Sequence, residues 1–211
     1  GALRRDGHPP LFYLLLHGWI AAVGDSDLAV RALSGLWAVA LLPLVWIAGR
    51  RVGGRRTAAC TVVILALSPF AVRYATEARM YAMVSVLALV GWLAADSAWR
   101  RPGLVPLAGV AVCSALLLWT HYWSIWFLAV GASLLAVLAW RANAGGDRAA
   151  RSAALRILAA VGVGGLTFAP WLPTLWYQRA HTGTPWTRPS RPAEALRTLA
   201  SDLGGGGTGE A

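Results

Sequence analysis

Four short stretches carry side chains whose types and spacing can do chemistry. The first, Asp6-Gly7-His8-Pro9-Pro10-Leu11-Phe12-Tyr13, sets a carboxylate and an imidazole just ahead of a rigid proline pair. A carboxylate there can serve as acid, base or metal ligand, and the imidazole can hydrogen-bond a phosphate. The second, Ser68 to Tyr81, packs Arg73, Tyr74, Glu77, Arg79 and Tyr81 between two apolar runs. Arg73, Glu77 and Tyr81 recur every fourth residue, so a continuous helix would align them on one face. The plain alternative is an Arg-Glu pair that closes a tight hairpin. The third stretch, Trp119-Thr120-His121-Tyr122-Trp123, is a polar break between apolar runs, and its histidine also suits an aromatic belt. The fourth, Gln178 to Trp186, is rich in turn formers and says little by itself.

The elements that must position these groups are apolar. Of the 211 residues, 57% are hydrophobic and 13% charged, against about 25% charged in a soluble domain. Mean hydropathy is +0.56. So little charge would leave large apolar areas in water, and the chain reads as an all-α, polytopic membrane protein. Disorder is excluded by the same hydrophobicity, and a disulfide scaffold by the two cysteines, Cys60 and Cys113, both inside apolar runs. A membrane helix needs about 20 apolar residues. Six stretches approach that length: Leu28–Gly49, Thr57–Val72, Met80–Trp99, Leu104–Thr120, Trp123–Trp140 and Arg156–Tyr177. Ahead of them Pro9–Val23 is short for a span and suits a juxtamembrane helix in the interface. The organisation expected is an outer-loop remnant over 1–8 and a juxtamembrane helix over 9–24. A six-helix membrane region over 28–178 and a partly flexible outer loop over 179–211 follow. Asp25-Ser26-Asp27 reads as a helix cap, and Asp96 with Arg100 as an i,i+4 pair.

All 19 basic residues are arginine, against nine acids, for a net charge of +10. The arginines punctuate apolar stretches rather than form a basic face, so nucleic acid is not an expected partner. If the six spans alternate, ten arginines fall in three short connections: Arg50, Arg51, Arg55, Arg56, Arg100, Arg101, Arg141, Arg148, Arg151 and Arg156. That density marks the cytoplasmic side. Asp6, His8, Arg73, Glu77, Arg79, His121 and His181 then share the outer side. The four histidines lack metal-type spacing and no Cys-x-x-Cys occurs, so a divalent metal is not indicated. No nucleotide-binding loop or nucleophile elbow is present.

Taken in order, HPPLFYLLLH, GDSDLAVRALSGL, SPFAVRYATEARMYAM, THYW, FAPWLP and TGTPW resemble the bacterial integral-membrane glycosyltransferases of the GT-C superfamily. These are the relatives of protein O-mannosyltransferases and of the lipid A aminoarabinose transferase. The resemblance runs from about Gly7 to Trp186. It implies a multi-pass fold in the cell membrane, with juxtamembrane helices and an extracytoplasmic active site. It also implies a polyprenyl-phosphate-sugar donor and inversion at the anomeric carbon. The family's principal catalytic Asp usually lies upstream of the Pro-Pro motif, so the chain reads as a segment of a longer enzyme. In some relatives a lysine stands at the place of His8 and meets the donor phosphate.

Sugar transfer needs a base for the acceptor hydroxyl and positive charge for the departing lipid phosphate. Arginine offers that phosphate a permanent, bidentate charge. The resemblance and this chemistry assign Asp6 and Glu77 as catalytic carboxylates, and His8, Arg73, Arg79 and His121 as donor-phosphate ligands. Tyr13, Tyr74, Tyr81 and Tyr122 are assigned to the substrate pocket. Membrane lipids and the lipid-linked donor are the expected partners, with the acceptor and the sugar left open. A lipid or small-solute transporter (or flippase) and a non-catalytic scaffold are the rival readings. A transporter would place its charges near the bilayer midplane, whereas here they sit at the ends of apolar runs.

Overall fold

The computed structural model describes residues 7–181 and 192–203. Regular structure among them is helical: α1 (Leu11–Val23), α2 (Asp27–Leu67), α3 (Pro69–Thr76), α4 (Tyr81–Arg100), α5 (Leu104–Thr120), α6 (Ser124–Ala144), α7 (Arg148–Leu166), α8 (Leu172–His181) and α9 (Pro192–Leu203), with one 3-10 turn at Ala169–Trp171. Among the described residues the fold is all-α, as the sequence leads one to expect.

Side-chain caps set several of the boundaries. The Ser26 hydroxyl accepts from the Ala29 N–H at 3.3 Å and starts α2. Ser68 does the same for Ala71 at 3.3 Å, with Pro69 in the first turn of α3. Asp147 accepts from Ala150 at 2.9 Å and starts α7. The Asp96–Arg100 pair forms near the end of α4, at 2.9 Å.

Among the described residues four stretches are long and apolar enough to cross a membrane: α2, α4, α6 and Arg148–His181, which holds α7 and α8. Many of their large side chains face outward, as suits contact with lipid; Ile64 is 69% exposed and Trp126 67%. The shorter apolar helices α1 and α5 have 13 and 17 residues. α2 consists of two limbs. Gly53 (φ −146°, ψ 16°) and Gly54 (φ 80°, ψ −165°) leave helical geometry, and Gly54 occupies the left-handed region that a side chain disfavours. Beside that break the limbs touch: a Cβ on Gly49 would stand 2.6 Å from the Ala58 Cα.

Two sequence expectations need correction. The stretch Thr57–Val72 is not one helix, because Ser68 turns extended (φ −70°, ψ 118°) and caps a new helix at Pro69. Arg156–Tyr177 is likewise divided: α7 stops at Leu166, and Pro170 and Pro173 favour a 3-10 turn and a fresh start at Leu172. Within the stretch 179–211, expected as an outer loop, the structure adds α9.

The described residues divide into two compact units. One comprises 7–15 and 87–181, the other 16–86 and 192–203. The core of the first is built from Ala98, Val110, Ile157 and Ala160, with small neighbours such as Ala94 and Ala111. Small residues let membrane helices approach closely. α7 packs on both α5 and α6, and a Cβ on Gly164 would lie 2.3 Å from the Ala111 carbonyl oxygen. In the second unit α3 packs against α2 and α9. The Trp19 indole of α1 donates to the Ala29 carbonyl at 2.7 Å.

Candidate functional site

In the second unit the charged stretch after α2 folds as a short helix and a turn. α3 stops at Thr76, and Glu77 is extended (φ −83°, ψ 137°) with its N–H on the Arg73 carbonyl at 3.2 Å. Arg73, Glu77 and Tyr81 therefore do not lie on one continuous helix, which corrects the sequence expectation. Arg73 and Glu77 still meet, Nε to Oε1 at 3.2 Å. The Arg79 N–H then donates to the Glu77 carbonyl at 2.8 Å, and α4 begins at Tyr81.

α2 holds this turn from beneath. The Arg31 guanidinium donates to the Thr76 carbonyl at 3.3 Å, and the fully buried Ser34 hydroxyl donates to the Arg79 carbonyl at 3.0 Å. Arg31 and Ser34 stand one helical turn apart on α2, so one face of that helix reaches both ends of the turn.

These residues surround a polar cavity of about 570 Å³, lined by Asp27, Arg31, Arg73, Tyr74, Glu77, Arg79 and Tyr81. Three guanidiniums face two carboxylates, which leaves the lining cationic. Glu77 engages Arg73. Among the described residues no carboxylate lies within ion-pair distance of Arg31 or Arg79. The Arg79 guanidinium stands 5.3 Å from the centre of the Tyr81 ring, and that of Arg73 6.0 Å from Tyr74. Such placement over an aromatic face favours a cation without neutralising it.

A second cavity, about 500 Å³ and apolar, adjoins the first through Tyr74 and Tyr81. Gly35, Ala38 and Leu42 of α2's first limb line it, with Leu65 of the second limb, Phe70 of α3 and Ala82 of α4. The Tyr74 ring packs edge-on against Phe70 and Tyr81, each at 4.6 Å. Two tyrosines thus stand between a cationic chamber and an oily one.

The structure gathers five of the sequence-predicted residues here: Arg73, Tyr74, Glu77, Arg79 and Tyr81. It adds Asp27, which the sequence presents as part of a helix cap, and Arg31, which stands within the expected span Leu28–Gly49. Their signal was available in the spacing. Asp27, Arg31 and Ser34 fall on one face of a helix otherwise free of charge until Arg50.

The other predicted residues form their own group in the first unit. Pro9 and Phe12 are buried and seat the start of α1. The His8 ring lies 6.4 Å from Tyr13 and 5.8 Å from His121. His121 ends α5 in an extended conformation, and its Nδ1 accepts from the Trp123 N–H at 3.1 Å. Tyr122 is held from two sides: its hydroxyl accepts from the Trp171 indole at 3.0 Å and donates to Gln178 Oε1. Trp119, Phe168 and Trp171 pack around this network. Burial pushes the Tyr122 phenol above its ordinary pKa, and the Trp171 hydrogen bond partly opposes that. Gln178, almost wholly buried, opens the fourth stretch of the sequence but is given no role there. Asp6 and the stretch Thr182–Trp186 lie outside the described residues. Among the described residues no group of three His, Cys, Asp or Glu side chains is placed to hold a metal ion. Comparison with protein-family models, with curated proteins and with solved structures finds no match.

Proposed function

We propose that this chain belongs to a membrane glycosyltransferase of the GT-C type, taking a sugar from a polyprenyl-phosphate donor at the extracytoplasmic face of the cell membrane. The observation that carries this reading is the pair of adjoining cavities, one lined by Arg31, Arg73 and Arg79 and the other apolar, meeting at Tyr74 and Tyr81. A lipid-linked phosphate has the matching form, an anionic head on a hydrocarbon chain. In this assignment the three guanidiniums hold the phosphate and the apolar chamber takes the first part of the lipid. The two limbs of α2, with α4, α5, α6 and α7–α8, serve as about six crossings. The break at Gly53-Gly54, flanked by Arg50, Arg51, Arg55 and Arg56, then lies at the cytoplasmic side. The short crossings rely on neighbouring helices and local thinning of the bilayer.

In the reaction the acceptor hydroxyl oxygen forms the new bond to the anomeric carbon as the bond from that carbon to the phosphate oxygen breaks. The polyprenyl phosphate leaves with the electron pair, the anomeric centre inverts, and the acceptor proton passes to a carboxylate base. Arg31 and Arg79, unneutralised by described carboxylates, stabilise charge growing on the leaving phosphate. Glu77, paired with Arg73, orients that guanidinium; Asp6 is the candidate base. His8 and His121 are further candidate phosphate donors, and Tyr13 and Tyr122 candidate pocket residues, by resemblance to the family.

The test is transfer from polyprenyl-phosphate mannose by the full-length protein in liposomes, with a membrane extract supplying acceptors. Release of polyprenyl phosphate together with new mannosyl product is expected, and Arg79→Ala and Glu77→Ala should each slow it. Wild-type turnover in both variants would remove those two residues from the site. Lipid movement across the bilayer without glycosidic cleavage would identify a flippase instead.

A further inference from the structure

α9 carries a two-sided pattern that the cavities do not use. Over Pro192–Leu203, Ala193, Leu196, Leu199 and Ala200 fall on one side of the helix, and Glu194, Arg197, Thr198 and Ser201 on the other. Every side chain from Ala193 to Ser201 is exposed, Leu196 at 67% and Leu199 at 50%. The apolar stripe therefore has no protein cover of its own, although α9 packs beside α3.

The position of α3 identifies what covers it. α3 leads through one turn to the start of α4, and Arg31 and Ser34 near the start of α2 bond that same turn; α2 and α4 are both long and apolar enough to cross a membrane. It thus stands beside the starts of two membrane-length helices, at the boundary between hydrocarbon and water. α9, packed on α3 in the same unit, is held at that level. At 12 residues it is about 18 Å long, too short for a hydrocarbon core of about 30 Å. A helix with one oily and one polar side, fixed at the boundary and unable to cross, lies in the plane of the interface.

We infer that α9 is a membrane-interface helix whose Leu196–Leu199 stripe inserts into the lipid headgroup region beside α3. Its occupant is the bilayer surface, and the inference is independent of the sugar-transfer reading. The contact also steadies α3, the element that supplies Arg73 and Tyr74 to the polar cavity.

The experiment uses the whole chain in phosphatidylcholine–phosphatidylglycerol nanodiscs, with a nitroxide placed singly at position 196, 198 or 199. Cysteine attachment in a Cys60→Ser, Cys113→Ala background serves if that background keeps the wild-type helical signal; otherwise a ketone-bearing residue carries the label. Collision with oxygen, which concentrates in lipid, is compared with collision with a water-soluble nickel chelate. Labels replacing Leu196 and Leu199 should favour oxygen, and the label replacing Thr198 should favour nickel. Leu196→Glu should shift the label at 199 toward nickel without changing the melting temperature. Nickel preference at all three positions would overturn the inference by placing the helix in water. Shielding of all three from both reagents would overturn it in favour of a protein cover.

Discussion

The buried hydroxyl of Ser34 donates to the backbone carbonyl of Arg79 across 3.0 Å, joining the first limb of α2 to the turn that precedes α4. Together with the Arg31 bond to the Thr76 carbonyl it ties α2 to both ends of that turn. Ser34→Ala should leave the Arg79 carbonyl without this partner, at a cost of about 1–3 kcal/mol. Thermal unfolding in detergent would show the loss. On the proposed function, affinity for polyprenyl phosphate should fall in parallel, because Arg79 is no longer held at the cavity edge.

Arg31 separates charge from shape. Its guanidinium reaches both the Thr76 carbonyl and the polar cavity. Arg31→Ala should weaken polyprenyl phosphate binding by roughly tenfold or more, given about 1.5–3 kcal/mol for a hydrogen bond to a charged group. Arg31→Lys should recover part of the affinity, since an ammonium keeps the charge without the planar fork. Equal binding by all three proteins in a competition titration would remove Arg31 from the phosphate site.

Tyr122 should govern the alkaline limit of the first unit. Its folded pKa lies above the unfolded value of about 10, so the neutral phenol is the form the fold prefers. The corresponding stability is complete below pH 10 and declines as pH rises through the folded pKa. Absorbance at 295 nm during alkaline titration would register a late-ionising tyrosine, absent in Tyr122→Phe. That variant also deprives the Trp171 N–H of the acceptor it meets at 3.0 Å, and should lose about 1–3 kcal/mol at neutral pH.

Two adjacent glycines of α7 should respond oppositely to alanine. A methyl on Gly164 would meet the Ala111 carbonyl at 2.3 Å and the Ser114 Cβ at 2.8 Å, whereas one on Gly165 meets nothing within 4 Å. Gly164→Ala should destabilise the α5–α7 contact by about 1–3 kcal/mol through overpacking. Gly165→Ala should be neutral or gain up to about 1 kcal/mol from helix propensity. Differential scanning fluorimetry on the two variants checks the pair.

Helical architecture and membrane character were legible because hydrophobicity and run length are local properties. The Ser26 cap and the Asp96–Arg100 pair were legible for the same reason. Ser68 and Pro69 held the information that α3 is a separate helix, but an apolar run conceals a cap within it. Glu77 kept its i,i+4 partner Arg73 yet left the helix, because the carbonyls of Thr76 and Arg79 are bonded by Arg31 and Ser34, more than forty residues away. Contacts at that separation leave no periodic trace. The same holds for Tyr122, Trp171 and Gln178, and for the cavity roles of Asp27 and Arg31. The amphipathic period of α9 was present in the sequence, masked by the glycine- and proline-rich residues around it.

Tyr74 and Tyr81 belong to the lining of both cavities in the second unit. A replacement at either ring reshapes the two chambers together. Preferences for a head and for a tail are therefore yoked at these positions: neither can drift alone. Independent adjustment is left to residues that line a single chamber, such as Arg31 on the polar side and Leu42 on the apolar side. Variants selected for a different head should accumulate changes at the former kind of position and leave the two rings untouched.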